Sequence, residues 1–272
     1  MAEKTEKTAM EKSEIVSWPD SMSKSIKREV EDLFADYGEI GIDLRLEDSI
    51  FREIPFLKTA ITALRIGNSI KERALVEKMY RFVKQMNEGC ENDAERDKRA
   101  GYFKNNKKKR TEELKYLIIL LDRYVSPIRA NWLAKVYLAY LEKEITWDEV
   151  LVFSECIDKI IPADLKYLDF YIQTTGELLH KRKNTMIAGV TVEKTSTVNY
   201  NELLSRVSNV LDGGFDSQSR QKMHTDRLVS AGLVEQLPIS LDDPFPLGIT
   251  RTTDTTYVPT KTGVILMRIL SM

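Results

Sequence analysis

The chain carries two histidines, His180 and His224, and two cysteines, Cys90 and Cys156. These residue types bind transition metals or act as bases and nucleophiles near neutral pH. Their spacing suits neither role. Neither cysteine has a Cys or His nearby at metal-ligand spacing. His180 opens His180-Lys-Arg-Lys, where three cations disfavour both a proton and a metal ion. His224 falls on a predicted helix, where packing or surface placement accounts for it. The chain contains no Gly-x-Gly-x-x-Gly, no phosphate loop, no His-Glu-x-x-His and no Gly-x-Ser-x-Gly elbow. The carboxylate pairs Asp148-Glu149 and Asp242-Asp243 are sequence neighbours, and consecutive helical residues do not face each other. An enzymatic role is therefore not expected, and no metal, cofactor or catalytic residue is assigned.

Cations carry what chemistry remains. Lys104 to Arg110, Lys-Asn-Asn-Lys-Lys-Lys-Arg, has five positive charges and no acid, and reads as an exposed loop between helices. His180 to Lys183 is a second cluster. Either could meet nucleic-acid phosphates or acidic lipid. A further set, Arg220, Lys222, His224 and Arg227, sits on a predicted helix, Ser217–Leu228. The candidate nucleic-acid contacts are these four with Lys107, Lys108, Lys109 and Arg110. The stretch Phe56–Met86 is basic and amphipathic. It could lie on a membrane surface, but a pair of bundle helices joined at Gly67-Asn68 is the preferred reading.

These residues must be positioned by helices. In 272 residues, 12 Gly and 8 Pro leave long stretches uninterrupted. Residues 1–20 lack an apolar stripe and read as a disordered tail. Ser21 to Tyr37 presents Ile26, Val30, Leu33 and Phe34 at helical spacing. Pro55 suits a first helical turn. Ser69 and Glu72 form a capping box, Asn92 and Thr111 are candidate caps, and Pro127 and Pro162 open further helices. Thr146 and Glu149 form a second capping box. This predicts a helical bundle over 21–176, a linker over 177–198 and a small α+β module over 199–272.

In that last module a helix Tyr200–Leu211 precedes Ser217–Ala231, and Gly232 stops the second helix. Leu233 to Leu237 and Thr255 to Val258 are strand-like and flank a Pro-rich loop, and Thr260-Lys-Thr-Gly263 opens a final helix. The order resembles the back half of bacterial winged-helix domains. That resemblance implies a DNA-reading helix at Ser217–Leu228. Charge opposes it: 199–272 holds seven Lys and Arg against eight Asp and Glu. DNA affinity grows with the number of phosphates neutralised, so protein contact is the preferred use of the module.

Leu114 to Tyr124, Ala134 to Glu149 and Phe153 to Ile160 also resemble a group of uncharacterised bacterial helical proteins. Glu53-Ile-Pro-Phe and Gly67-Asn-Ser-Ile-Lys-Glu-Arg fit the same likeness. It spans about residues 50–272 and implies an accessory role, sometimes linked to phage or mobile elements.

The whole chain balances 41 Lys and Arg against 42 Asp and Glu. The longest run free of these four residues, Asn184–Val192, is nine residues, well short of the roughly 20 a membrane-spanning helix needs. The N-terminus alternates charges and has no apolar signal core. Two cysteines form no disulfide framework. The expectation is a cytoplasmic, non-enzymatic protein without a transmembrane segment. It would act through a protein partner as an accessory or sensor component, with antiviral defence as the implied setting. DNA-binding regulation and peripheral membrane contact are the alternatives. Oligomeric state is left open.

Overall fold

The computed structural model describes residues 17–27, 29–30, 33, 53–66, 69–90, 92–187, 217–238 and 255–271. Among them are ten helices and one two-stranded sheet. The chain divides into two compact units, Met1–Thr146 and Trp147–Met272.

The first unit contains α1 (Trp18–Ser25), α2 (Pro55–Leu64), α3 (Ile70–Asn87), α4 (Asp93–Lys104), α5 (Lys107–Arg123) and α6 (Ile128–Leu141). Helix α3 packs on α6 and α5, and α1 packs on α2, α4 and α5. The predicted capping box is present: Ser69 and Glu72 each take the other's backbone N–H. Asn92 caps α4 by accepting from Glu95 N. Leu75, Met79, Phe82, Val83 and Met86 line the core as their spacing predicts, as do Phe56 and Ala60; in α2 Leu57 is buried as well, whereas Ala63 and Leu64 are exposed. Much of the apolar face of Phe56–Met86 is therefore used inside the unit, while Leu64 and Ile70 remain exposed.

Three expectations in this unit are corrected. Helix α1 begins at Trp18, inside the segment read as a tail; the rest of 1–20 lies outside the described residues, apart from Ser17. Its buried face sets Ser21, Ser23 and Ser25 beside Pro19 and Met22, a mixture that gives no apolar stripe. Ser25 Oγ donates to Ser21 O and accepts from Phe56 N at 2.9 Å, and Asn87 Nδ2 donates to Ser25 O. The hydrogen bonds offset the cost of burying these hydroxyls. The predicted helix over Ser21–Tyr37 is interrupted after Ser25 by a bend at Ile26 and Lys27, and helix is present again at Glu29, Val30 and Leu33; Ile26 and Val30 are buried, and 34–37 lie outside the described residues. Thr111 does not cap α5. It lies one turn inside and donates to Lys107 O.

The second unit contains α7 (Trp147–Lys159), α8 (Pro162–Ile187), α9 (Ser217–Ser230), β1 (Val234–Pro238), β2 (Thr255–Pro259) and α10 (Lys261–Ser271). Strands β1 and β2 pair antiparallel, with Val234 opposite Pro259 and Gln236 opposite Tyr257. Helix α8 packs against α9, β2 and α10. The core is built from Val150, Phe153, Ile157, Leu168, Tyr171, Leu228, Leu233, Leu266 and Ile269. Helices α7 and α8, expected in the bundle over 21–176, thus belong to the C-terminal unit. The predicted linker is also shortened, because α8 runs unbroken to Ile187. Gly176 costs about 1 kcal/mol against alanine, and the helix-favouring Glu, Leu, Lys and Arg after it suffice to continue the helix. The predicted helix Tyr200–Leu211 and the Pro-rich loop over 239–254 lie outside the described residues.

The strand ends explain the Gly-Leu-Val and Thr-x-x-Gly motifs. Gly232 has φ +72° and closes α9. Its N–H donates to Val229 O while Leu233 N donates to Leu228 O, and Leu228 and Leu233 are both buried. This is a Schellman stop with its apolar contact. Thr260 then fastens the returning chain. Its N–H donates to Leu233 O, its hydroxyl donates to Gly232 O, and the same oxygen accepts from Gly263 N. A Cβ on Gly263 would lie 2.1 Å from Leu233 O, so the first turn of α10 reaches the β1 backbone through a missing side chain.

Candidate functional site

Residues from α8 and α9 meet at a buried carboxylate, Asp164, which is fully inaccessible. Pro162 starts α8, so Asp164 falls in the first turn and its Oδ2 accepts from Ile161 N at 2.8 Å. The position favours an anion, because the helix dipole is positive there. From α9, Arg227 Nε lies 3.2 and 3.1 Å from the two carboxylate oxygens and Nη2 lies 3.1 Å from Oδ1. His224 Nδ1 lies 2.6 Å from Oδ1 and 3.0 Å from Arg227 Nη2. A bare Nδ1 would set its lone pair against the carboxylate, so Nδ1 carries the hydrogen and donates to Asp164. Tyr167 stacks on the imidazole at 4.5 Å between centroids. One helical turn further, Thr225 donates to Gln221 O, so Tyr171 OH donates to Thr225 Oγ1 at 2.8 Å.

A carboxylate that orients a histidine is the core of many general-base sites. Here the carboxylate also holds a guanidinium and a backbone N–H. With three groups converging on it, the cluster fastens α9 to α8. Among the described residues no group of three His, Cys, Asp or Glu gathers as metal ligands.

The four α9 candidates therefore divide. His224 and Arg227 are turned inward onto Asp164, whereas Arg220 and Lys222 are exposed. The exposed face also presents Asp226 and Met223, the latter 48% accessible. Sequence reading missed Asp164 because an acid in a first helical turn reads as dipole compensation. The signal for its partners was His224 and Arg227 at i, i+3 spacing on an otherwise polar helix.

The second candidate set forms the first turn of α5 and not a loop. Helix α4 ends at Lys104, Asn105 and Asn106 make the turn, and Lys107, Lys108, Lys109 and Arg110 follow as helix. A helix can start here because Asn106 adopts the left-handed conformation, φ 51°, which asparagine tolerates. Lys107 pairs with Asp20 at 2.8 Å, and its hydrogen bond holds the Asp20 carboxyl below its usual range, with help from Ser17. Arg110 donates to Glu113 Oε2 at 2.5 Å. Glu113 is buried and also accepts from Tyr137 at 3.0 Å and Tyr140 at 2.6 Å. Burial, reinforced by the Glu113 charge, pushes the Tyr137 phenol well above its usual pKa. Lys109 lies 3.9 Å from Glu113 and over the Tyr140 ring. Lys104 and Lys108 are exposed.

Among the described residues no helix is long and apolar enough to cross a membrane. No family model matches the chain, and neither a curated protein nor a solved structure matches it.

Proposed function

We propose that this chain is a non-enzymatic accessory or sensor component that works through protein contacts made by the exposed face of α9, within a winged-helix-like module over 199–272. The observation that carries the reading is the division of α9. His224 and Arg227 are held by Asp164, leaving Arg220 and Lys222 beside Asp226 and the accessible Met223. A helix that reads DNA needs cations free to meet phosphates and polar groups free to meet base edges. A mixed face with an exposed methionine suits a protein surface better. The likeness to bacterial helical proteins supports a cytoplasmic, phage-related setting.

The test compares the full chain with its Met223→Glu and Arg220→Ala/Lys222→Ala variants. Partners are recovered by cross-linking in cells of the source organism, and binding to duplex DNA is measured from 50 to 200 mM salt. Loss of a specific cross-linked partner with Met223→Glu, and DNA binding unchanged by Arg220→Ala/Lys222→Ala, is the expected result. Duplex binding that collapses in the double variant would replace this reading with a DNA-binding regulator.

A further inference from the structure

The tip where α4 ends and α5 begins breaks a local rule of helix design. Lys107, Lys108, Lys109 and Arg110 occupy the first four positions of α5, and its first turn holds no acid. The N-cap Asn106 contributes no side-chain hydrogen bond. Cations at a helix N-terminus oppose the dipole, and each costs stability there. Lys104 adds a fifth cation three residues before the helix starts, in the last turn of α4, where a cation suits the dipole. The fold compensates only part of this charge. Asp20 takes Lys107, and Glu113 takes Arg110 and sits near Lys109. Glu112 lies one turn beyond Lys108 and is exposed, yet no ion pair joins the two. Among the described residues, Lys104 and Lys108 thus stand exposed with no ion-pair partner around a two-residue turn, and Lys108 also opposes the dipole of its helix.

Departures from local consistency that the fold leaves uncompensated concentrate at functional positions. We infer that this tip, Lys104 with Lys107 and Lys108, binds the phosphate backbone of a nucleic acid. Backbone phosphate suits it because flexible ammonium groups meet phosphates as point charges, and the contact needs no base-reading groups. A lipid surface suits it less. Stable membrane contact needs apolar insertion beside the charge. The exposed large apolar residue of α5 closest in sequence to Lys108 is Tyr116, eight residues along the helix, and Ile119 lies further.

The experiment uses the full chain and a fluorescent 20-nucleotide single strand or duplex, titrated from 20 to 200 mM salt. Lys104→Ala/Lys108→Ala should lower the slope of log affinity against log salt by about 2 and weaken binding at least tenfold at 50 mM salt. Lys108→Glu should abolish binding and raise the Tm of the free protein by about 2–4 °C, because an acid now faces the dipole. That opposed pair of effects separates a binding role from a structural one. Three results would overturn the inference: no binding by the wild-type chain at 20 mM salt, an unchanged slope in the double variant, or a Tm lowered by Lys108→Glu. Competition by poly-glutamate equal to that of the oligonucleotide, or equal binding to acidic vesicles, would also overturn it, by reassigning the tip to acidic protein or lipid. The double variant at Arg220 and Lys222 tests the α9 reading separately and leaves this tip intact.

Discussion

At the scale of single residues, the informative side chains are those that finish someone else's hydrogen bonding. Asp164 is the clearest. Its carboxylate was invisible as a site in the sequence, because a first-turn acid is common and its partners lie sixty residues away. Replacing Asp164 by Asn keeps its shape but leaves Arg227 and the His224 N–H facing a neutral amide in a buried position. Breaking such a buried pair costs about 3 kcal/mol, and urea denaturation of the variant should reveal it. Cys156 gives a second test. Its Sγ contacts Ala231 O at 3.1 Å, and burial pushes the thiol from 9.0 to about 11, with Glu155 adding and Lys159 opposing. The folded state therefore prefers the neutral thiol. That contribution is complete below pH 9 and is lost as pH rises through 11. Stability of the Cys156→Ser variant should fall less steeply between pH 9 and 11 than that of the native chain. Equal slopes would mean that Cys156 titrates alike in the folded and unfolded states.

At the scale of elements, legibility followed the source of each element's stability. Helices α2, α3, α4, α7, α8 and α9 were readable because apolar periodicity or cap residues specify them locally. Helix α1 was not, because three of the five residues it buries are serines, with only Met22 and Pro19 beside them, a pattern that reads as polar chain. The start of α5 was misplaced for a related reason. Four cations argue against a helix N-terminus, and it is Asp20 and Glu113, both outside that turn, that make it tolerable. The Thr-x-x-Gly motif was recognised as a helix opening, but its reason is tertiary: Gly263 admits the Leu233 carbonyl. A Gly263→Ala side chain would sit 2.1 Å from backbone oxygen, which neither element can yield cheaply. This substitution should lower Tm by several degrees and perturb the β1–β2 amide resonances. In an exposed helix the same change would stabilise by about 0.5–1 kcal/mol, so an unchanged or higher Tm would refute the close approach.

At the scale of the molecule, near-neutral charge and helical composition gave the class correctly but hid the division. The boundary falls at Thr146, thirty residues before the end of the bundle expected over 21–176, because α8 packs on α9, β2 and α10 while α7 meets the end of α9 through Cys156 and Lys159. Their stripes resemble those of the preceding bundle helices, and periodicity does not say which neighbour a stripe will meet. If the two units are separate cooperative bodies, each should answer to its own buried cation or anion. In the first unit, Lys78 is 5% accessible, and its Nζ donates to Tyr124 O at 2.7 Å and Asp122 O at 3.1 Å. It thereby satisfies carbonyls at the end of α5 that no helix residue can reach. Burial holds its pKa below the usual lysine value, opposed by the nearby Asp122. Lys78→Met strands those carbonyls at a cost of about 1–3 kcal/mol. Calorimetry of the full chain should then resolve two transitions. Lys78→Met should lower one by several degrees and leave the other in place, and Asp164→Asn should do the reverse. A single transition lowered by both variants would mean that the units unfold as one body, and that the fastening of α9 onto α8 is felt throughout the chain.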